Sequence, residues 1–172
     1  MSDQENAEKQ PQQRIINIDQ AQYMEWGKGE RYEANLGPLA HVLGAARLGF
    51  NITRLAPGKA AFPYHLHHNT EEVFVILEGS GRVRLADGEH PLRQGDVLCC
   101  PTGPEGGHKI FNDSDEDLVY LAFSNKGALD IVEYPDSNKC AAMVGSPWEG
   151  MAFRKIFPQD ADVDYWDGED TD

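Results

Sequence analysis

The chain has 172 residues, with 15 Lys and Arg against 29 Asp and Glu, giving a formal net charge of −14. That length suits one domain with a sizeable core, and that charge repels phosphate backbones and anionic headgroups, so neither nucleic acid nor a membrane is an expected partner. No apolar run approaches the roughly 20 residues that cross a bilayer.

Residues Met1 to Gln13 are polar and cannot bury enough apolar surface to offset their ordering entropy, which predicts disorder. They carry neither a basic start nor an apolar h-region, so a cytoplasmic location is the expectation. Arg14 to Ile18 reads as a short strand, and Ala21 to Leu43, with Gly27, Gly29, Gly37 and Pro38, as irregular strands and loops. Leu48 to Leu55 alternates apolar and polar residues, the pattern of a half-buried strand. Pro57-Gly58 marks a turn. Glu72 to Leu77 is a strand rich in branched and aromatic residues that stops at Glu78-Gly79-Ser80-Gly81. Arg82 to Leu85, the turn Asp87-Gly88, then Val97 to Cys100, His108 to Phe111 and Leu118 to Phe123 continue the series. Short strands with turn signals about every ten residues predict an all-β sandwich or barrel. Asp130 to Tyr134 and Phe153 to Phe157 predict further strands around a turn at Pro135-Asp136-Ser137-Asn138.

The stretch from Asp160 to Asp172 has seven acidic residues and no basic one, which predicts a solvated flank, partly docked through Tyr165 and Trp166. The expected organisation is a polar tail over 1–13, a single domain over 14–157 with its core over about 48–124, and an acidic tail over 158–172. Cys99, Cys100 and Cys140 lack framework spacing and are expected to be free thiols.

The chemistry concentrates in the histidines. Strand alternation sends His65 and His67 to one face and His68 to the other, so two imidazoles are placed to grip one ion. Glu71 and Glu72 are split by the same parity, so one of them shares the cavity with the histidines. His108 heads a later strand, and a barrel wall can bring it opposite the first pair. Imidazole suits zinc, copper, iron and nickel, and a carboxylate adds affinity for manganese. Three imidazoles and one carboxylate leave two cis positions of an octahedron open to a ligand.

The run Gly58-Lys-Ala-Ala-Phe-Pro-Tyr-His65-Leu-His67, then Glu72 and Gly79, resembles the first motif of the cupin superfamily. The run Gly95-Asp96-Val-Leu-Cys-Cys-Pro101-Thr-Gly103, then His108 and Asn112, resembles the second. The loops before His65 and before His108 are longer than the usual pattern, and both lie in turns, where added residues cost little. The resemblance implies a double-stranded β-helix (jelly-roll) barrel with extra N- and C-terminal strands. It implies that His65, His67, Glu72 and His108 ligate one divalent metal ion, with Zn, Fe, Mn and Ni all open. The spacing from Glu72 to Gly79 selects Glu72 over Glu71.

Residues Asp130 to Asn138 and Asp164 to Glu169 resemble stand-alone bacterial cupins often labelled sugar-phosphate-isomerase-like. Such cupins commonly pair, so a homodimer is expected, with the strands Arg14–Ile18 and Phe153–Phe157 available to extend a sheet. Phe62, Tyr64, Phe74, Cys100 and Phe111 are candidates to line a pocket for a small oxygen-rich ligand, sugar-like or a carboxylic acid, with core packing the expectation for most of them and inert packing for Cys100. Lys109 is expected to face away from His108. Basic residues are scarce near the motifs, which counts against a phosphorylated substrate. Three functions fit: an isomerase-like enzyme, an iron-dependent dioxygenase, or a non-catalytic ligand-binding module.

Overall fold

A computed structural model of the chain describes residues 13–146 and 150–171. The expected disorder of residues 1–13 therefore falls, residue 13 apart, outside the described residues. The strands in chain order are β1 (Met24–Lys28), β2 (Tyr32–Gly37), β3 (Leu48–Leu55), β4 (Leu66–His67), β5 (Glu72–Glu78), β6 (Ser80–Leu85) and β7 (Gly88–Arg93). They continue as β8 (Val97–Cys100), β9 (Lys109–Phe111), β10 (Leu118–Asn125), β11 (Leu129–Tyr134), β12 (Lys139–Ser146) and β13 (Gly150–Pro158). One short helix, α1 (Leu39–Val42), lies between β2 and β3. No helix among the described residues is long and apolar enough to cross a membrane.

The strands form sheets in the orders β1-β2-β3-β10-β5-β8, β13-β12-β11-β4 and β7-β6-β9. Together they make the all-β barrel that the strand pattern predicts, with the double-stranded β-helix topology that the family resemblance implies. Strands β3 and β10 run antiparallel from Leu55 opposite Leu118 to Leu48 opposite Asn125. That register turns Leu55, Leu118 and Tyr120 inward, where they join Phe74, Ile76 and Val83 in the main core. The turn from β5 into β6 needs Gly79, whose φ is +73° and whose absent Cβ leaves room for the Asp117 carbonyl.

The opposite face of β3 and β10 is covered too. Ala21, Leu39, Ile52 and Val119 form a second cluster, with Ile16 and Ile18 packed against it. This overturns the strand expected at Arg14 to Ile18. The segment holds no strand, and Ile18–Gln20 is a 3-10 turn capped by the Asn17 side chain accepting from Asp19 N–H. The isoleucines lie across the sheet instead of pairing with its edge. The extra N-terminal strands are β1 and β2, and the expected C-terminal ones are β11 and β13. Strands β7 and β12 have no counterpart in the sequence reading; Pro91 and the small residues of Lys139–Ser146 obscure their alternation.

In the acidic tail, residues 159–171 are exposed, and the Tyr165 and Trp166 rings meet edge to face, at 4.8 Å between centroids.

Core and surface differ sharply in what they tolerate. Leu118→Ala, at a position 0% exposed, is expected to lower stability by about 2–5 kcal/mol in urea denaturation. Leu129→Ala, at a position 52% exposed, is expected to change it by no more than about 0.5 kcal/mol.

Candidate metal centre

The first and second sequence motifs meet through the backbone. His65 N–H donates to the His108 carbonyl at 3.1 Å, and His108 N–H donates to the His65 carbonyl at 2.9 Å. This reciprocal pair sets the two rings side by side, 4.5 Å between centroids. Strand β4 then pairs with β11, placing His67 opposite Val132, and β5 carries Glu72 in from the neighbouring sheet. Ligand atoms of His65, His67 and Glu72 lie within 4.8 Å of one another. His108 Nε2 lies 3.2 Å and His67 Nε2 3.4 Å from the same Glu72 oxygen, Oε2. His65, His67 and Glu72 thus form one cluster, and His108 touches it through Glu72.

The other ring nitrogens are all committed. His65 Nδ1–H donates to the Pro63 carbonyl at 2.9 Å, and His108 Nδ1–H to the Gly106 carbonyl at 2.9 Å. His67 Nδ1–H donates to Asp130 Oδ2 at 2.6 Å. Carbonyls and an ionised carboxylate only accept, so Nδ1 is the donor in each ring. In a neutral imidazole that leaves Nε2 with the lone pair. The long loop before His108 serves this geometry. A Cβ on Gly106 would overlap the Pro101 carbonyl oxygen, so only glycine lets the loop close and aim its carbonyl at the ring.

Charge follows from the same contacts. Burial pushes His65 down, to about 4, helped by the charge on His108. Burial also opposes charge on His67 and His108, but Asp130 and Glu72 raise the first and Cys100 and Glu72 raise the second above the ordinary imidazole range. Burial disfavours the Glu72 carboxylate, yet its bonds to His108 and His67 outweigh that and hold it ionised far below the usual range. Asp130 is likewise held low against burial by His67. A buried carboxylate facing three imidazole nitrogens calls for positive charge between them.

The cluster sits on the wall of a cavity of about 220 Å³. Phe62 and Phe74 line it, as the sequence predicts. Tyr64, Cys100 and Phe111 do not. Tyr64 stacks under Arg84, 4.1 Å from ring centroid to guanidinium carbon, and fills the space beside Gly107. Cys100 is buried in the core against His108, and Phe111 pairs with Arg82 on β6. Lys109 corrects a further expectation: it borders the cavity, because β9 ends the barrel wall at its rim. His68 is exposed and bonds Glu133, and Glu71 is exposed beside Cys99.

The sequence reading missed Asp130 as a functional residue, treating it only as the start of a strand. Its signal was available in the parity of β11, which puts Asp130, Val132 and Tyr134 on one face. It also missed the polar strip of Asn51, Thr53 and Tyr120, which lines the cavity from β3 and β10. Thr53 Oγ1–H donates to Asn51 Oδ1 at 2.8 Å, and Tyr120 is fully enclosed beside Thr53, where burial raises its pKa.

The cupin domain family model matches residues 51–124. A curated relative, an uncharacterized protein of Methanocaldococcus jannaschii, is 35% identical over 60 residues, covering 35% of this chain and 46% of its own length. The chain thus spans about half of that relative. Among solved structures, a protein of Acidithiobacillus ferrooxidans provisionally described as a sugar phosphate isomerase is 26% identical, with a TM-score of 0.67 over 76% of this chain and 80% of its own. A cupin superfamily sugar phosphate isomerase of Silicibacter pomeroyi shares the fold, at 20% identity and a TM-score of 0.74 over 86% of this chain and 94% of its own. The barrel, both histidine motifs and the family match agree on one segment: residues 51–124 match the cupin domain.

Proposed function

We propose that His65, His67, Glu72 and His108 hold one divalent metal ion, and that the chain uses it to isomerise a small oxygen-rich molecule of sugar-like or hydroxy-acid type. One observation carries the metal: three imidazoles, each with Nδ1 bound to an acceptor, turn Nε2 toward one buried, ionised carboxylate. Protons on His67 and His108 balance that carboxylate, and a divalent ion takes their place when it binds. When bound, the ion supplies Lewis acidity that grips vicinal oxygens and acidifies an adjacent proton. Zinc, iron, manganese and nickel all suit this donor set.

The chain's own residues do the rest. Phe62, Phe74 and Val132 exclude water from the cavity, which strengthens each polar contact inside it. Asn51, Thr53 and Tyr120 offer hydroxyl and amide groups that orient a polyhydroxy ligand. Tyr134 stacks on His65 at 6.0 Å and 24°, and burial raises its pKa, so its phenol stays protonated to donate to a substrate oxygen. The Acidithiobacillus ferrooxidans relative's isomerase description supports the reaction class.

Asp130→Asn is expected to weaken metal binding about 10- to 100-fold and, because Asp130 also pairs with protonated His67 in the metal-free protein, to lower the melting temperature of that form too. Chelator competition at fixed pH measures this. A metal must displace the protons that His67 and His108 hold above the ordinary imidazole range, so affinity rises with pH and falls on acidification. With two protons displaced, the fall approaches about a hundredfold per pH unit below those values, and calorimetric titration across neutral pH reads it directly. For the reaction, protein loaded with each of the four metals is assayed by NMR against a panel of aldoses, ketoses and hydroxy acids. Isomerisation by at least one form is the expected result. Oxygen uptake confined to the Fe(II) form would instead assign a dioxygenase, and tight binding without turnover a binding module.

A further inference from the structure

A second concavity, of about 280 Å³, lies beside the cavity and shares Lys109 with it. Four cations border it: Arg31, Lys59, Arg84 and Lys109. They come from four separate segments, brought together by a ladder of pairings across the barrel wall. Tyr32 bridges Ala60, Ala60 bridges Phe111, and Lys109 stands directly opposite Arg84 on β6. In a chain with 29 acidic and 15 basic residues, such a gathering runs against composition.

The acids nearby do not fill it. Asp136 takes the Arg84 fork at 2.7 and 2.9 Å, and Glu33 takes Lys59 at 2.8 Å. Glu89 borders the groove and lies 3.9 Å from Arg82. Arg31 has no carboxylate partner among the described residues. Lys109 makes no ion pair with a carboxylate there and feels Asp136 only as a more distant charge. Its ammonium donates to the Tyr32 hydroxyl, at 3.4 Å, and sits 5.2 Å from that ring's centroid. Like charges placed opposite each other on neighbouring strands, as Arg84 and Lys109 are, destabilise a sheet unless an anion joins them. Asp136 meets part of that need. Arg31 and Lys109 remain: one planar fork suited to bidentate phosphate contacts, and one point charge.

We propose that this groove is an anion subsite that takes the phosphate of a small phosphate monoester at the rim of the metal cavity. Arg31 and Lys109 together offer two positive charges to a phosphate dianion near neutral pH. Lys109, common to both concavities, is where the phosphate end and the oxygen-rich body of one substrate meet. The assignment of a single substrate rests on the metal-cavity function proposed above, whereas the anion subsite stands on the groove alone. It also reverses the expectation that scarce basic residues near the motifs count against a phosphorylated substrate, since Arg31 and Arg84 are distant in sequence.

The test titrates inorganic phosphate, by calorimetry, into the full chain stripped of metal with a chelator. Binding is expected without metal, weakened about tenfold by Arg31→Gln and again by Lys109→Gln, and unchanged by Arg93→Gln, whose side chain lies outside the groove. Acetate at equal concentration is expected to bind much more weakly. Arg31 is exposed, so Arg31→Gln should fold as the parent does, and far-ultraviolet circular dichroism checks this. Phosphate binding that requires metal, that ignores Arg31→Gln, or that acetate matches would overturn the subsite. Failure to bind any metal would overturn the cavity function and leave the phosphate result standing by itself.

Discussion

The site depends on two backbone hydrogen bonds, those exchanged between His65 and His108. Each histidine comes from a different motif, and neither lies inside a long strand. The reciprocal bond pair is the suture that holds the two loops in register. It puts both imidazoles on the inner wall, one ring width apart, with their Nδ1 atoms turned back to the local carbonyls of Pro63 and Gly106. Once those are committed, the Nε2 atoms have no orientation left but inward. The electrostatics of the cluster follow from this constraint.

Around that suture, the fold divides its labour by face. The inward residues of β3 and β10 carry both the apolar core and the polar strip of Asn51, Thr53 and Tyr120, with Leu55 and Leu118 sealing one end. The outward residues are covered by the N-terminal segment and α1. With both faces packed, these two strands are the rigid wall against which a ligand can be oriented. Strand β11 does a different job. It pairs with β4 and brings Asp130 to His67, so an element outside residues 51–124 orients a side chain within them. The domain match thus covers His65, His67, Glu72 and His108 but not all of their support.

Much of this was legible in sequence. Alternation in Leu48–Leu55 located β3 to the residue, because side-chain period two is a local property of an extended chain, and the turn at Gly95-Asp96 located the start of β8. The same parity separated His65 and His67 from His68, and motif spacing chose Glu72 over Glu71. Where the local pattern failed, a tertiary demand had overridden it. Ile16 and Ile18 look like strand residues, but the open outer face of the six-stranded sheet claimed them. Tyr64, Cys100 and Phe111 look like pocket residues, but the cavity is narrow and their positions point into the core, under Arg84, or onto β6.

By itself, the sequence determined that the chain is all-β, where most strands run, and that His65, His67 and Glu72 are chemically fit to share a site. It could do so because those facts rest on residue type and on spacings of a few positions. Only the tertiary structure decided that Asp130 orients His67, that Asn51, Thr53 and Tyr120 line one cavity, and that Arg31, Lys59, Arg84 and Lys109 gather at one groove. Those neighbours lie tens of residues apart along the chain. They meet because strand order and register are settled by burying the barrel as a whole, and no short stretch of sequence carries that information.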